Sequence, residues 1–313
     1  MIGMRVRSVC KLQEVWHMAA VPSALIIADG GVDLPEGAAE QLGIRLVPLR
    51  VLFGSQELIS GVDITPADFY RRLRERGEFP STSQPSAGDY LKVYTDAAQV
   101  GLPIISLHIS GGLSGSIASA RAAREMLPDV DIHIVDTLTL SGAMAMQVLV
   151  AAHAAREGKS PEEIIALATA VGHKTDMLYT IDKLDYLRRG GRIGRVAGYM
   201  GSLLGVRPII TVDKASGTYV PTGRARSWRG AISQLIDTMV ERLGEGASVS
   251  LMVLRGDCQA DADWLLSVVK GRLSIVWLEI VWVNPTLGAH VGPDAIGVAF
   301  YPGLLPIPAL SLA

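Results

Sequence analysis

No other stretch constrains this chain as much as Pro103 to Leu127. A short apolar run, Pro103-Ile104-Ile105-Ser106-Leu107-His108-Ile109, leads into Ser110-Gly111-Gly112-Leu113-Ser114-Gly115-Ser116 and then into a helical pattern from Ile117 to Leu127. Glycines let a backbone come close to a ligand, and serines offer hydroxyls. The start of the helix adds unpaired N–H groups and a partial positive charge. A strand, Gly/Ser loop and helix in that order suit a phosphate or a carboxylate. The same residues also fit an ordinary strand-to-helix turn with Ser114 as N-cap.

The surrounding pattern alternates strand and helix. Ala24–Ala28 is a continuous apolar run ending at Asp29-Gly30-Gly31, and Ile44–Phe53 is β-rich, with Pro48 breaking it. Thr65-Pro66-Ala67-Asp68, Ser86–Asp89 and Ser160-Pro161-Glu162-Glu163 each place a capping hydroxyl ahead of an acid three residues on, so helices start there. Ile132–Val135 is a further strand, ending at Asp136. Such alternation predicts a mostly parallel sheet flanked by helices, with ligands beyond the carboxyl ends of strands. Asp29, Ser110 and Asp136 all fall at such ends.

The second half reads as strands Met177–Ile181, Pro208–Val212 and Thr218–Pro221, the last two joined by a hairpin turn at Lys214-Ala215-Ser216-Gly217. A helix (Ser227–Leu243), a strand (Ser248–Leu254), a helix (Ala260–Lys270) and the strands Ile275–Trp282 and Ala295–Phe300 follow. The fold expected is therefore α/β. An N-terminal α/β domain over 24–172 has a mostly parallel sheet, and a C-terminal α/β domain over 173–302 has a mixed one. Residues 1–23 form a disordered extension in this reading, and 303–313 a tail.

Composition narrows the function classes. The chain has 313 residues, of which 49% are hydrophobic and 19% charged, with 29 basic against 31 acidic side chains. That balance gives no electrostatic drive toward nucleic acid. Cys10 and Cys258 share no metal-ligand or disulfide spacing, so no metal site is expected and a cytoplasmic setting is the default. No apolar run reaches the roughly 18 residues of a membrane span. The nearest, Ala143–Ala155, is interrupted by Gln147 and His153 and reads as a buried helix. Neither stable membrane insertion nor a signal peptide is expected.

Four groups could carry chemistry. Thr82 and Ser83, in Ser81-Thr82-Ser83-Gln84-Pro85-Ser86, either belong to a capping loop or share a ligand with the Ser110–Ser116 loop. Gly112-Leu113-Ser114-Gly115-Ser116 nearly spells a nucleophile elbow, with Ser116 in place of the last glycine. A serine hydrolase using Ser114 and His290, with Asp257, Asp261 or Asp263, is the alternative function. Thr286–Pro293 reads as a Gly-rich loop in which His290 is either structural or functional. Lys183, Arg188, Arg189, Arg192 and Arg195 gather around Gly190-Gly191 as a solvated face, as an anion contact through Arg192, or as a docking patch for an acidic partner. A phosphate or nucleotide binder on the same helix start lacks the P-loop lysine.

These pieces occur in an order that resembles the DegV family. The resemblance rests on Asp29…Asp33-Leu34-Pro35, Gly61-Val62-Asp63-Ile64-Thr65-Pro66, Thr82-Ser83-Gln84-Pro85-Ser86, Ile109-Ser110…Leu113-Ser114-Gly115, Leu184 through Gly194, and His290-Val291-Gly292-Pro293. It spans about Ala24 to Tyr301. It implies a non-enzymatic lipid carrier that binds one long-chain fatty acid in an apolar tunnel between two domains and presents it to a separate fatty acid kinase. No cofactor is implied beyond the bound lipid. Carried over by motif, Thr82, Ser83, Ser110, Gly112, Ser114 and His290 would hold the carboxylate, with Arg192 close by or docking the kinase. Gly30 and Gly111 stand where the family usually has serine.

Overall fold

The computed structural model describes residues 21–199 and 205–307. Most of the expected extension (1–23), most of the expected tail (303–313) and Cys10 lie outside the described residues.

Apolar runs bounded by turn residues fold as parallel strands. β1 (Leu25–Asp29) is followed by α1 (Ala38–Leu42) and β2 (Arg45–Val47). Pro48 ends β2, and the chain resumes as β3 (Arg50–Phe53), which forms a small antiparallel sheet with β4 (Gln56–Ile59) and β5 (Ser81–Ser83). The sequence reading recognised neither β4 nor β5. Between them lies α2 (Pro66–Arg76), capped by Thr65, which accepts from Asp68 N–H. Ser86 and Asp89 form a reciprocal capping box at the start of α3 (Ala87–Ala98).

β6 (Ile104–His108), α4 (Ser116–Glu125), β7 (Ile132–Asp136), α5 (Ser141–Arg156) and α6 (Pro161–Lys174) complete this half. The larger sheet runs β2-β1-β6-β7, all parallel. The connections from β1 leave toward opposite edges, so a crevice opens between the carboxyl ends of β1 and β6.

The chain then enters a mixed sheet. β8 (Asp176–Ile181) leads to α7 (Asp185–Arg189), a 3₁₀ turn (Gly194–Tyr199), and the hairpin of β9 (Arg207–Asp213) and β10 (Thr218–Ala225). α8 (Trp228–Leu243), β11 (Ser248–Arg255), α9 (Gln259–Lys270), β12 (Ser274–Trp282), α10 (Pro285–Val291) and β13 (Ala295–Pro302) follow. The order is β10-β9-β8-β13-β11-β12, antiparallel except for β11 with β12.

α10 corrects the loop expected at Thr286–Pro293. Asn284 accepts from Thr286 and Leu287 N–H, and Pro285 occupies the first turn, so a helix starts despite its glycine.

Strand alternation builds the layers. On β1 and β6, Ile26, Ala28, Ile105 and Leu107 face α5, whereas Ile27 and Ile104 face α3 and α4. On the mixed sheet, Tyr179, Met252, Leu254 and Ala299 face inward, and Leu178, Val253 and Val298 face α8 and α9. The main core thus lies between the two sheets. α5, buried on nearly every side, fills it as the sequence reading expected. No helix of the described residues is long and apolar enough to cross a membrane.

Candidate functional site

The carboxyl end of β6 delivers the Gly/Ser loop to the crevice, and the loop spends most of its own donors internally. Gly112 N–H donates to Ser110 Oγ at 3.1 Å, and Leu113 and Ser114 N–H both donate to Ser110 O at 3.0 Å. Gly111 N–H donates to Asp136 at 3.2 Å. Ser114 Oγ accepts from Ser116 N–H at 3.2 Å and pairs with Ser116 Oγ at 3.0 Å. Gly115, with no side-chain bond of its own, is the N-cap. The acids at the strand ends also fix loops. Asp29 accepts from Gly31 and Ile109 N–H, and Asp136 from Gly111 and Leu138 N–H.

The polar side chains converge elsewhere, where β5, α7, α10 and the Gly/Ser loop meet. They wall a cavity whose lining includes Thr82, Gln84, Ser114, Arg192, Thr286 and His290. Thr82 Oγ1 lies 2.9 Å from His290 Nε2. His290 Nδ1 is buried without a partner, as is Thr286 Oγ1. Burial, reinforced by the nearby Arg192 charge, pushes His290 down to about 4, so the ring is neutral at pH 7. Arg192 ties the walls together, donating from Nε to Leu113 O at 3.3 Å and from Nη1 to Gly190 O at 2.7 Å. A neutral imidazole, two hydroxyls and a guanidinium with unspent N–H groups suit an anion with two oxygens.

Of the residues singled out from sequence, Thr82, Ser114, Arg192 and His290 come together here. Ser83, Ser110 and Gly112 do not line this cavity. Ser83 follows Thr82 along β5 and so points to the opposite face. Ser110 is fully buried beneath the β9–β10 hairpin, where a Cβ on Gly217 would collide with its Oγ. Gly112 is pressed against the same hairpin, and a Cβ there would stand 2.6 Å from Ser216 O. A Cβ on Gly111 would face Asp136 and Ile117 rather than the Thr82–His290 pair. Sequence reasoning missed Thr286 and Gln84. The Asn284-Pro285 cap would have put Thr286 on the same helix as His290.

The parts of a hydrolase relay are not assembled. Ser114 is paired with Ser116, and His290 with Thr82. Asp257 binds Arg74 at 2.7 Å, Asp261 accepts from Trp228 Nε1 at 2.8 Å, and Asp263 accepts from Gln259. Among the described residues, none of the three carboxylates partners His290.

A second cavity is almost wholly apolar, with Leu140, Met177, Leu254, Val283 and Val291 among its walls. It lies in the core between the sheets and shares Tyr219 and Leu287 with the polar cavity. A polar chamber therefore adjoins an apolar one.

Comparison with known proteins gives the same outline. A family model described as uncharacterised protein, DegV family, matches residues 23–303. A DegV domain-containing protein of Deinococcus radiodurans is 40% identical over 290 residues, covering 92% of this chain and 99% of that protein. Among solved structures, a fatty-acid-binding DegV family protein from Thermus thermophilus superposes with a TM-score of 0.82 at 30% identity, covering 90% of this chain and 99% of that one. DegV of Bacillus subtilis, described as a fatty acid binding protein, gives 0.79 at 26% identity, with 90% and 99% covered. With a family model matching nearly the whole length and a relative 40% identical over 92% of it, the chain belongs to the DegV family.

Proposed function

We propose that this protein is a carrier that binds one long-chain fatty acid between an N-terminal unit (24–172) and a C-terminal unit (173–302), and presents its carboxylate to a separate fatty acid kinase. The observation that carries the reading is the junction at Tyr219 and Leu287, where a chamber with Thr82, Ser114, Arg192, Thr286 and His290 in its walls meets an apolar cavity. A molecule with an anionic head and a hydrocarbon tail matches that pair of environments. The related structures described as fatty-acid-binding support the same ligand class.

Energetics divide the work between the chambers. Each methylene taken from water contributes about 0.8 kcal/mol. A hydrogen bond to a charged group contributes about 1.5–3 kcal/mol. A dozen methylenes therefore dominate affinity, and the polar chamber sets which end faces out. With its proton on Nε2, neutral His290 donates to Thr82 Oγ1, leaving the Thr82 hydroxyl free to donate to the carboxylate. Thr286 Oγ1 supplies a second hydroxyl, and Arg192 supplies charge.

The test is organic extraction of the purified protein followed by mass spectrometry. About one fatty acid per chain is expected, together with acyl-phosphate formation when a fatty acid kinase and ATP are added. A protein that arrives without lipid and binds neither palmitate nor oleate would overturn the carrier reading.

A further inference from the structure

The apolar cavity has three hydroxyl-bearing side chains in its walls that a plain hydrocarbon tail does not need, Ser141, Tyr179 and Tyr219. Ser141 opens α5 at φ 55°, a left-handed conformation that costs a serine and suits a glycine. Its amide donates to Gly31 O at 2.6 Å and its hydroxyl to Asp33 Oδ2 at 2.5 Å. The other Asp33 oxygen accepts from Asn284 N–H at 2.9 Å and Nδ2 at 2.8 Å. An ionised carboxylate only accepts hydrogen bonds. The Ser141 proton is thus committed to Asp33, and the lone pairs of Oγ remain as an acceptor. Burial pushes Asp33 up to about 6, which still leaves it ionised above neutral pH.

Tyr179 is the complement. Its hydroxyl is sealed from solvent, and its polar neighbour is the Tyr219 hydroxyl. Its ring meets that of Tyr219 edge-on, with centroids 5.6 Å apart. Two phenols side by side can satisfy one O–H between them, so one proton is left without an acceptor. A buried O–H left in that state is destabilising. The cavity therefore offers one donor and one acceptor among aliphatic walls.

We infer that the cavity selects an acyl chain carrying a hydroxyl group along its length, which accepts from the Tyr179–Tyr219 pair and donates to Ser141 Oγ. A hydroxyl is both donor and acceptor, whereas a ketone would leave Ser141 unmatched and a methylene would leave both. This inference rests on the fatty-acid reading and names the subclass of chain.

The experiment is competition at pH 7.5 between palmitate and its hydroxylated regioisomers for the delipidated protein, read with a fluorescent fatty acid. Wild type is compared with Tyr179→Phe, which keeps the ring, and Ser141→Gly, which suits the φ of that position. At least one internal regioisomer should bind wild type about tenfold more tightly than palmitate, the worth of roughly one net hydrogen bond. That advantage, taken within each protein as the ratio to palmitate, should fall below about twofold in both variants. Every regioisomer binding wild type more weakly than palmitate, or an advantage that survives both substitutions, would overturn the inference while leaving the carrier reading intact. Failure to bind any of the acids, palmitate included, would overturn both.

Discussion

Thr82 Oγ1 and His290 Nε2 stand 2.9 Å apart although 208 residues separate them in the chain. The contact joins β5 of the small sheet to α10, so the head-group chamber depends on two elements that meet only in the folded protein. Thr82→Val keeps a β-branched side chain in the strand and removes only the hydroxyl. Lipid binding should weaken by about 1–3 kcal/mol, because the apolar cavity is untouched. Phosphate transfer by the kinase should fall further than binding, since transfer needs the carboxylate placed correctly. Fluorescent fatty-acid displacement and a coupled kinase assay measure the two separately. Equal losses would reduce Thr82 to a source of affinity, and no loss in either would remove it from the site.

Gly112 and Gly217 allow the Gly/Ser loop and the β9–β10 hairpin to touch. A Cβ on Gly112 would meet Ser216 O at 2.6 Å and Gly217 O at 3.0 Å, both backbone atoms with little room to yield. Gly112→Ala should destabilise the fold by about 1–3 kcal/mol. Gly217→Ala should do the same, since Gly217 has φ 63° and faces Ser110. Urea unfolding midpoints check this, with unchanged m-values expected. Wild-type stability in both variants would mean the loop and hairpin adjust freely.

Ser114 is expected to be chemically inert. Its hydroxyl is shared with Ser116 and lacks a basic partner, since His290 Nε2 is engaged by Thr82. A fluorophosphonate probe should leave the protein unlabelled, and simple esters should not turn over. Stoichiometric labelling abolished by Ser114→Ala would point to the hydrolase instead.

What could be read from sequence was local. Thr65, Ser86 and Ser160 announced their helices because a cap and its partner lie three residues apart. The parallel strands were visible as apolar runs, and α5 as a long aliphatic stretch. α10 was hidden because Gly288 and Gly292 resemble loop residues. They are needed there because a Cβ at Gly288 would strike Tyr70, and one at Gly292 would strike Tyr186. Ser110 and Gly112 looked like ligands because sequence shows that a loop is rich in hydroxyls and glycines, not which way it faces. Only the approach of the distant β9–β10 hairpin turns them inward. Thr286, by contrast, is set in the chamber wall by a helix whose cap, Asn284, is held in turn by Asp33.

Asp33 and His290 should pull the pH dependence of stability in opposite directions. Burial raises Asp33 from 3.8 to about 6, so the folded protein holds that proton more tightly than the unfolded chain. Its contribution is fully present below pH 3.8 and is lost as pH rises through about 6. Burial lowers His290 from 6.5 to about 4, so its contribution is present above pH 6.5 and is lost as pH falls through about 4. Each shift corresponds to roughly 3 kcal/mol, and between those limits the two slopes largely cancel. Asp33→Asn keeps an oxygen for Asn284 and presents an N–H to the Ser141 oxygen. Free of the charged carboxyl, it should be more stable than wild type above pH 7 and lose stability steeply on acidification. His290→Gln should do the reverse, gaining stability as pH falls from 6.5 to about 4. Unfolding free energies from urea titrations at pH 4.5, 5.5, 6.5 and 7.5 distinguish the three proteins. If the three curves run parallel, neither group titrates away from its ordinary value, and the neutral imidazole assigned to the head-group chamber loses its support.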